Sequence, residues 1–338
     1  MQEEVDSRAI SQESQPNTEL EPTEIDEKKF VESFNQSWTA LNKTGVLRIL
    51  PGKNPVRQHL EIVKPRVRET LGIKDQNGIE YRLPEEEEIR HLYKLNEALI
   101  QKKHEQFGRK SRVLLTPMAM PIPLLIARAE REIVRHAQEG KIFQTKHSAQ
   151  DQNIVIRVDA NEPVWVWDTV REAIKTDEIV YFPYQLEGNH KGKSKSEIIN
   201  DPKICAIPGW SVGLVEDTTI LHQQGEGRTV DGRKQFETNL TPKDYLKTLQ
   251  GGSYNGETGW TYEDFLSDFM VNLQNTNQVS HESYEHSAVW LVGSYLPSSA
   301  CVPSGDWARG SSQLDVDAGD PGDRGGRWGV RSTVRLGI

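Results

Sequence analysis

Residues that could bind a metal lie close together near the C-terminus. His281 and His286 are five positions apart, whereas zinc-binding histidines on one face of a helix are about four apart. Four possible calcium ligands are also close in sequence: Asp315, Asp317, Asp320 and Asp323. The glycine and the terminal glutamate of an EF-hand loop are not in place around them. We therefore predict no metal site, and we interpret these acids as exposed strand and loop residues, with calcium binding as the alternative.

The two cysteines, Cys205 and Cys301, are the candidates for thiol chemistry. Two thiols in 338 residues do not make a disulfide framework, which indicates a reducing compartment. Cys301 has no histidine close to it in sequence, although catalytic groups assemble in space. The segment Gly225–Gly227 lacks the third glycine of a dinucleotide-binding fingerprint, and no Gly-x-Ser-x-Gly elbow occurs. We predict no cofactor and no catalytic residue set, and so no enzyme.

The charge balance limits the classes of partner. The formal net charge is -9, which argues against a general binder of nucleic acids or anionic membranes, because both carry negative charge. The basic stretch 191–195 is interpreted as a solvated loop, with phosphate contact as the alternative. No apolar run reaches the roughly 20 residues of a membrane span, and no secretion signal is recognised at the N-terminus. We expect a cytoplasmic protein.

The composition divides the chain into three parts. Residues 1–27 carry nine acids and one base, with few large apolar side chains, and are predicted to form a disordered acidic tail. Residues 28–146 have apolar residues at helical spacing, with prolines at two helix starts, and are predicted to form a mostly helical region. Residues 150–338 alternate short β-type runs with two helices that begin near Thr241 and Thr261. The whole chain is therefore predicted to be α+β.

The last segment has an unusual composition. Residues 286–338 contain neither Lys nor Glu, and their charges are carried only by Arg and Asp among many Gly, Ser and Ala residues. An ordinary exposed surface uses Lys and Glu freely. A tight, glycine-dependent fold that uses Arg for planar hydrogen bonding is one explanation, but it accounts poorly for the small size of the polar residues.

Several segments in order resemble the variable (target) proteins of diversity-generating retroelements, as found in candidate-phyla bacteria. The resemblance extends over about residues 115–338 and rests on these segments: 115–121, 162–168, 232–239, 276–279, Trp290–Tyr295, Val302-Pro303, Trp307, Leu314, Asp320-Pro321 and Gly329–Arg335. It implies that 150–338 is a C-type-lectin-like domain of the formylglycine-generating-enzyme type, also called sulfatase-modifying-factor-like. The strand near Val330–Arg335 would then be paired in its central sheet.

The resemblance also implies a source of diversity. In such proteins a reverse transcriptase miscopies adenines of a template, so that Asn-type codons become Gly, Ser, Asp, Ala, Arg or Tyr codons. Residues 299–338, the implied variable region, lack Lys, Glu and Met. Three residues that this code cannot reach, Trp307, Gln313 and Trp328, are interpreted as fixed framework or as differently mutated codons.

The implied function is non-catalytic display of a ligand-binding surface to an unknown protein or surface ligand. We expect Arg327 and the aspartates to dominate polar recognition and Trp328 to anchor the rim. The residues expected to be exposed together on one face are Ser304, Gly305, Asp306, Ala308, Ser311, Ser312, Asp315, Asp317, Ala318, Gly319, Asp323, Gly325 and Arg327. The residues expected beneath them are Trp290, Trp307, Leu314 and Val334.

Two alternative functions remain open at this point, a formylglycine-generating-type oxidoreductase and a carbohydrate-binding lectin-fold protein. Formylglycine-generating enzymes use a pair of cysteines near the C-terminal end. Cys205 and Cys301 lie in no matching context, so that activity is not carried over.

Overall fold

A computed structural model gives the fold and describes residues 24–45, 48–49, 71–146, 148 and 150–337. Most of the predicted acidic tail lies outside this range. At its end, however, Ile25 is buried, and the Tyr93 hydroxyl donates a hydrogen bond to its carbonyl oxygen (3.0 Å). Ile25 therefore belongs to the packed part of the chain, so the acidic tail ends earlier than the predicted residue 27.

The described residues form seven α-helices, most of which begin where the sequence carries a start signal. They are α1 (Glu27–Lys43), α2 (Glu86–Gln106), α3 (Ile122–Gln138), α4 (Asp168–Lys175), α5 (Lys195–Ile199), α6 (Pro242–Leu249) and α7 (Tyr262–Thr276). The Thr241 hydroxyl caps α6 and the Thr261 hydroxyl caps α7, each by accepting a hydrogen bond from the third backbone N–H of its helix. These two predicted helix starts are confirmed.

Sixteen strands lie in the part of the chain that the structure describes. They are β1 (Arg48–Ile49), β2 (Leu71–Lys74), β3 (Glu80–Arg82), β4 (Ser111–Thr116), β5 (Val164–Val166), β6 (Val180–Tyr181), β7 (Ser211–Glu216), β8 (Thr229–Val230), β9 (Arg233–Lys234), β10 (Glu257–Gly259), β11 (Ala288–Trp290), β12 (Ser294–Tyr295), β13 (Val302–Ala308), β14 (Gln313–Gly319), β15 (Trp328–Val330) and β16 (Ser332–Arg335). Their sheets have the orders β1-β2-β3, β10-β16-β7-β4, β15-β11-β13-β14-β5, β12-β6 and β8-β9.

The four-stranded sheet joins the two sequence regions that composition separates. β4, from the helical region, pairs antiparallel with β7, which in turn pairs with the C-terminal strand β16. α7 is buried along most of its length and contacts α1, α3 and β4. One cluster of buried apolar side chains extends from Phe30 in α1 to Leu336 after β16. The sequence boundary near residue 150 therefore does not separate two hydrophobic cores.

The C-terminal strand predicted at Val330–Arg335 is divided between two sheets. β15 ends at Val330 in the five-stranded sheet, and β16 begins at Ser332 in the four-stranded sheet, with Arg331 between them. Both halves are paired, β15 in parallel with β11 and β16 antiparallel with β10 and β7. Arg331 is thus the residue at which the chain crosses from one sheet to the other.

The mixture of helices and several sheets makes the chain α+β, as the sequence predicts. Within the described residues, no helix is both long enough and apolar enough to cross a membrane.

Candidate functional site: the outer face of the five-stranded sheet

The β13–β14 hairpin places four polar residues of the implied variable region on one face of the sheet. Ser304 is opposite Asp317, and Asp306 is opposite Asp315. Cross-strand partners share a face, and alternate residues of a strand point to the same side. The four side chains therefore lie together on what we call the outer face.

Tryptophans flank these residues on both neighbouring strands. Trp165 of β5 is the register partner of Asp315, and Trp290 of β11 is the register partner of Ser304. The ring of Trp290 packs on that of Trp328 from β15, with centroids 4.9 Å apart. The outer face is consequently an acidic strip between aromatic side chains.

The opposite, inner face of the same two strands belongs to the core. Trp307 is fully buried and stacks on Phe269 of α7, with centroids 6.2 Å apart and rings 8° from parallel. Leu314 and Val316 are fully buried beside it. Gly305 also points inward, because a Cβ on this residue would come within 2.4 Å of the Phe265 ring. Polar and core residues therefore alternate along one hairpin.

The structure corrects the expected exposure of Ser304, Gly305 and Asp306, which are all buried. Gly305 is buried because it faces α7. Ser304 and Asp306 point outward, but only 2% and 6% of their surfaces are exposed. For Asp306, the turn Ser283–Glu285 provides cover, since the Ser283 hydroxyl donates a hydrogen bond to the carbonyl oxygen of the adjacent Trp307 (3.4 Å).

Two further positions are on the face opposite to the one expected. Ala318 packs against the main core, in line with its position between Asp317 and Gly319 on the strand. Trp290 is buried as predicted, but it lies on the outer face and not beneath it. Trp307, Leu314 and Val334 are buried, as expected.

The remaining predicted surface residues are at least partly accessible. Ser311, Asp323 and Arg327 are exposed. The half-buried ones are Ala308, Ser312, Asp315, Asp317, Ala318, Gly319, Gly325 and Trp328. Asp323, Gly325 and Arg327 belong to the loop between β14 and β15, so this loop borders the face beside Trp328.

Among the residues that the structure describes, no cation offsets the charge of the three carboxylates of the outer face. Burial raises the pKa of Asp306 to about 6. Burial, reinforced by the negative charges of Asp306, Asp317 and Glu162, raises the pKa of Asp315 to about 7. Burial also raises the pKa of Asp317. The face therefore resists full ionisation, and a bound positive charge would favour the ionised carboxylates.

An aromatic side chain that the sequence analysis missed lies at the edge of this face. Tyr284, half exposed in the turn next to Asp306, has the guanidinium carbons of Arg327 and Arg309 at 4.9 Å and 5.3 Å from its ring centroid. Arg309 is held by Glu285 (2.7 Å) and by Glu282. Trp165 was also missed, although the alternating run 164–167 predicts a strand whose tryptophans share one face.

The possible zinc residues at 281–286 have structural roles. His281 is fully buried, and its Nε2 is 2.9 Å from a carboxylate oxygen of Asp268. His286 is half-buried, with Nδ1 3.2 Å from the Gly326 carbonyl oxygen. Among the described residues, no group of three or more His, Cys, Asp or Glu side chains could hold a metal ion.

The Cys205 thiol and a cleft beside α3 and α5 are two further places with ionisable side chains. Cys205 is buried, and desolvation raises the pKa of its thiol to about 12, so it carries no thiolate near neutral pH. A cleft of about 250 Å³ beside α3 and α5 is lined by Tyr181 and Lys195. Both of these side chains donate to Glu263, the tyrosine hydroxyl at 2.7 Å and the lysine amine at 2.5 Å.

The raised pKa values predict that neutralising Asp315 stabilises the protein at high pH. Between the unfolded pKa of about 4 and the folded values of about 6 and 7, the folded state binds more protons than the unfolded state. The contribution of these carboxyls to stability therefore falls as pH rises through that window. Near pH 8 we expect the free energy of unfolding of Asp315→Asn to exceed that of the wild type by about 1 kcal/mol after solvent screening. The variant should therefore unfold at a higher temperature.

This difference should shrink as the pH falls below about 7 and vanish near about pH 3, where wild-type Asp315 is mostly protonated in both states. Thermal melts across the pH range provide the measurement. Glu172→Gln, at an exposed position of α4, is the control. Its melting temperature should differ from that of the wild type by a small amount that does not depend on pH in this way. A lower melting temperature of Asp315→Asn near pH 8 would contradict the electrostatic description of this face.

Comparison of the chain with protein-family models, with curated protein sequences and with solved structures found no match in any of the three.

Proposed function

We propose that this chain is a non-catalytic ligand-binding display protein whose binding surface is the outer face of the five-stranded sheet. One observation carries the proposal, which is the alternation along β13 and β14. Asp306, Asp315 and Asp317 point outward, while Trp307 and Leu314 from the same strands fill the core. A rigid frame with adaptable polar contacts is the division of labour that a recognition surface needs.

The proposal includes retroelement-driven diversification of this surface. The absence of Lys and Glu after residue 285 supports it, as does the resemblance of the segments between 115 and 338 to variable proteins. The exposed loop between β14 and β15 adds further positions at which side chains can change, since Asp323, Arg324 and Arg327 are exposed there. A C-type-lectin-like arrangement of the C-terminal part belongs to the same proposal.

The ligand of this particular variant is proposed to present a positively charged group, such as a lysine or arginine side chain on a partner protein. Three carboxylates share the face, and the charges acting on Asp315 from its neighbours are all negative. Trp165 and Trp290 flank the carboxylates, and aromatic faces attract cations. Arg327 beside Tyr284 at the edge could contact an acidic group of the same partner.

A peptide-display selection tests the class of ligand. Random peptides selected on the wild-type protein should be enriched in Lys and Arg, and the selected peptides should bind more weakly at high salt. The double variant Asp315→Asn, Asp317→Asn should lose affinity for them about tenfold or more, equivalent to ~1.4 kcal/mol.

Glu172→Gln removes one exposed negative charge from α4 and serves as the matched control, with affinity unchanged. Selection of acidic or purely apolar peptides would refute the cationic class of ligand. Equal affinity of the wild type and the double variant for basic peptides would place the binding surface elsewhere.

A further inference from the structure

Arg331 is a buried cation at the junction of two sheets. It lies between β15 of the five-stranded sheet and β16 of the four-stranded sheet, and only 5% of its surface is exposed. Its carbonyl oxygen accepts a hydrogen bond from the Trp260 backbone N–H (3.2 Å), which ties the crossing to the start of α7. Its guanidinium carbon is 5.5 Å from the centre of the Trp260 ring.

The side chain of Arg331 has hydrogen-bond donors that the described residues do not satisfy. Nε and Nη2 have no hydrogen-bond partner there, and both are buried. The same holds for Nε1 of Trp260, whose residue is 1% exposed, and for Nε2 of His222. Buried guanidinium N–H groups without acceptors are costly, because they lose their hydrogen bonds to water and form none in exchange.

The residues that carry these nitrogens line one cavity of about 20 Å³, together with Glu216 and Thr218. Room of this size is enough for a water molecule or one small ion. The ligand must accept several hydrogen bonds at once, because the guanidinium and the indole can only donate.

The acids nearest to the cavity are already bound to other partners. Glu216 accepts a hydrogen bond from Gln235 Nε2 (2.7 Å) and is 3.8 Å from His222 Nε2. Asp268, whose charge also acts on Arg331, binds Arg112 and His281. Neither acid accepts a hydrogen bond from Nε or Nη2 of Arg331.

We propose that this cavity binds a small monovalent inorganic anion of chloride size, held by the Arg331 guanidinium and the Trp260 indole N–H. The anion would join β15, which carries Trp328 of the outer face, to the four-stranded sheet. It would then stabilise the strands behind the recognition surface without contacting the ligand bound there.

Crystals of the full chain grown or soaked in sodium bromide test the proposal directly. We expect an anomalous bromide peak in the cavity between the Arg331 guanidinium and the Trp260 indole nitrogen. Density that scatters only as water, with no anomalous signal at saturating bromide, would overturn the proposal.

A solution measurement separates a specific site from general salt effects. The melting temperature of the wild type should rise with sodium chloride relative to sodium gluconate at equal ionic strength, and the rise should saturate.

Trp260→Phe keeps an aromatic ring but removes the indole N–H donor, and it should weaken chloride binding at least about tenfold. Trp307→Phe is the matched control, because it removes another buried indole nitrogen that has no partner among the described residues, in the core and away from the proposed binding face. Identical chloride responses of the wild type and Trp260→Phe would argue against the site, and if Trp260→Phe does not fold, the bromide experiment on the wild type decides.

Discussion

Replacing Trp307 by alanine is expected to lower the free energy of unfolding by about 3–5 kcal/mol. The indole is fully buried, stacks on Phe269 and lies beside Leu314. Its removal would leave a large cavity between the β13–β14 hairpin and α7, which the surrounding helices cannot close without moving. Urea titration monitored by far-ultraviolet circular dichroism provides the measurement.

The control for Trp307 comes from the turn that follows β13. Ser311 is exposed, and its hydroxyl makes only a long hydrogen bond to Ala308 (3.4 Å). We expect Ser311→Tyr to change stability by no more than about 0.5 kcal/mol. Similar losses for Ser311→Tyr and Trp307→Ala would contradict the separation of a core face from a display surface.

Replacing Glu257 by alanine is expected to destabilise the protein by about 3–5 kcal/mol. Glu257 of β10 is fully buried at the side chain and accepts hydrogen bonds from Lys103 (2.7 Å) and Arg233 (2.8 Å). The Ser332 hydroxyl of β16 donates to its other oxygen (2.6 Å). In this variant, two buried cations would lie together without the carboxylate that both of them bind.

Denaturant titration of Glu257→Ala should be compared with Glu105→Ala on α2. Glu105 pairs with Arg109 at 3.0 Å, but both side chains are about two-fifths exposed. Exposed pairs contribute little because water screens them, so this variant should be close to the wild type. A small effect of Glu257→Ala would contradict this expectation. It would mean that water solvates Lys103 and Arg233, or that another acid offsets their charge.

Local signals in the sequence predicted five of the seven helices of the described residues; the prediction of two helices after residue 150 was wrong, because it missed the short helices α4 and α5. Capping threonines before α6 and α7 and the apolar spacing of α1 are properties of short segments, so they could be recognised without knowledge of the fold. The strand β4 was not predicted, because its partner β7 lies about a hundred residues further along the chain. Pairing at that separation is not encoded in either segment alone, and in the folded chain α7 packs against β4.

The composition of the last fifty residues identified the candidate surface but not its orientation. Strand alternation around the buried Trp307 would have placed Gly305 inward and Asp306 outward. The burial of Asp306 could not be predicted in the same way, because its cover comes from Ser283 in a distant turn. Likewise, Trp165 reaches the face only through the parallel pairing of β5 with β14.

Sequencing of the DNA around this gene tests the diversified surface most directly. We predict a reverse-transcriptase gene nearby and a template repeat that is nearly identical to codons 299–338 and differs only at template adenines. The differences should fall in the codons of outer-face and loop residues such as Asp315, Asp317 and Arg327, while the codons of Trp307 and Leu314 match the template. The absence of such a repeat, or differences spread equally over the codons of buried residues, would contradict the proposed function.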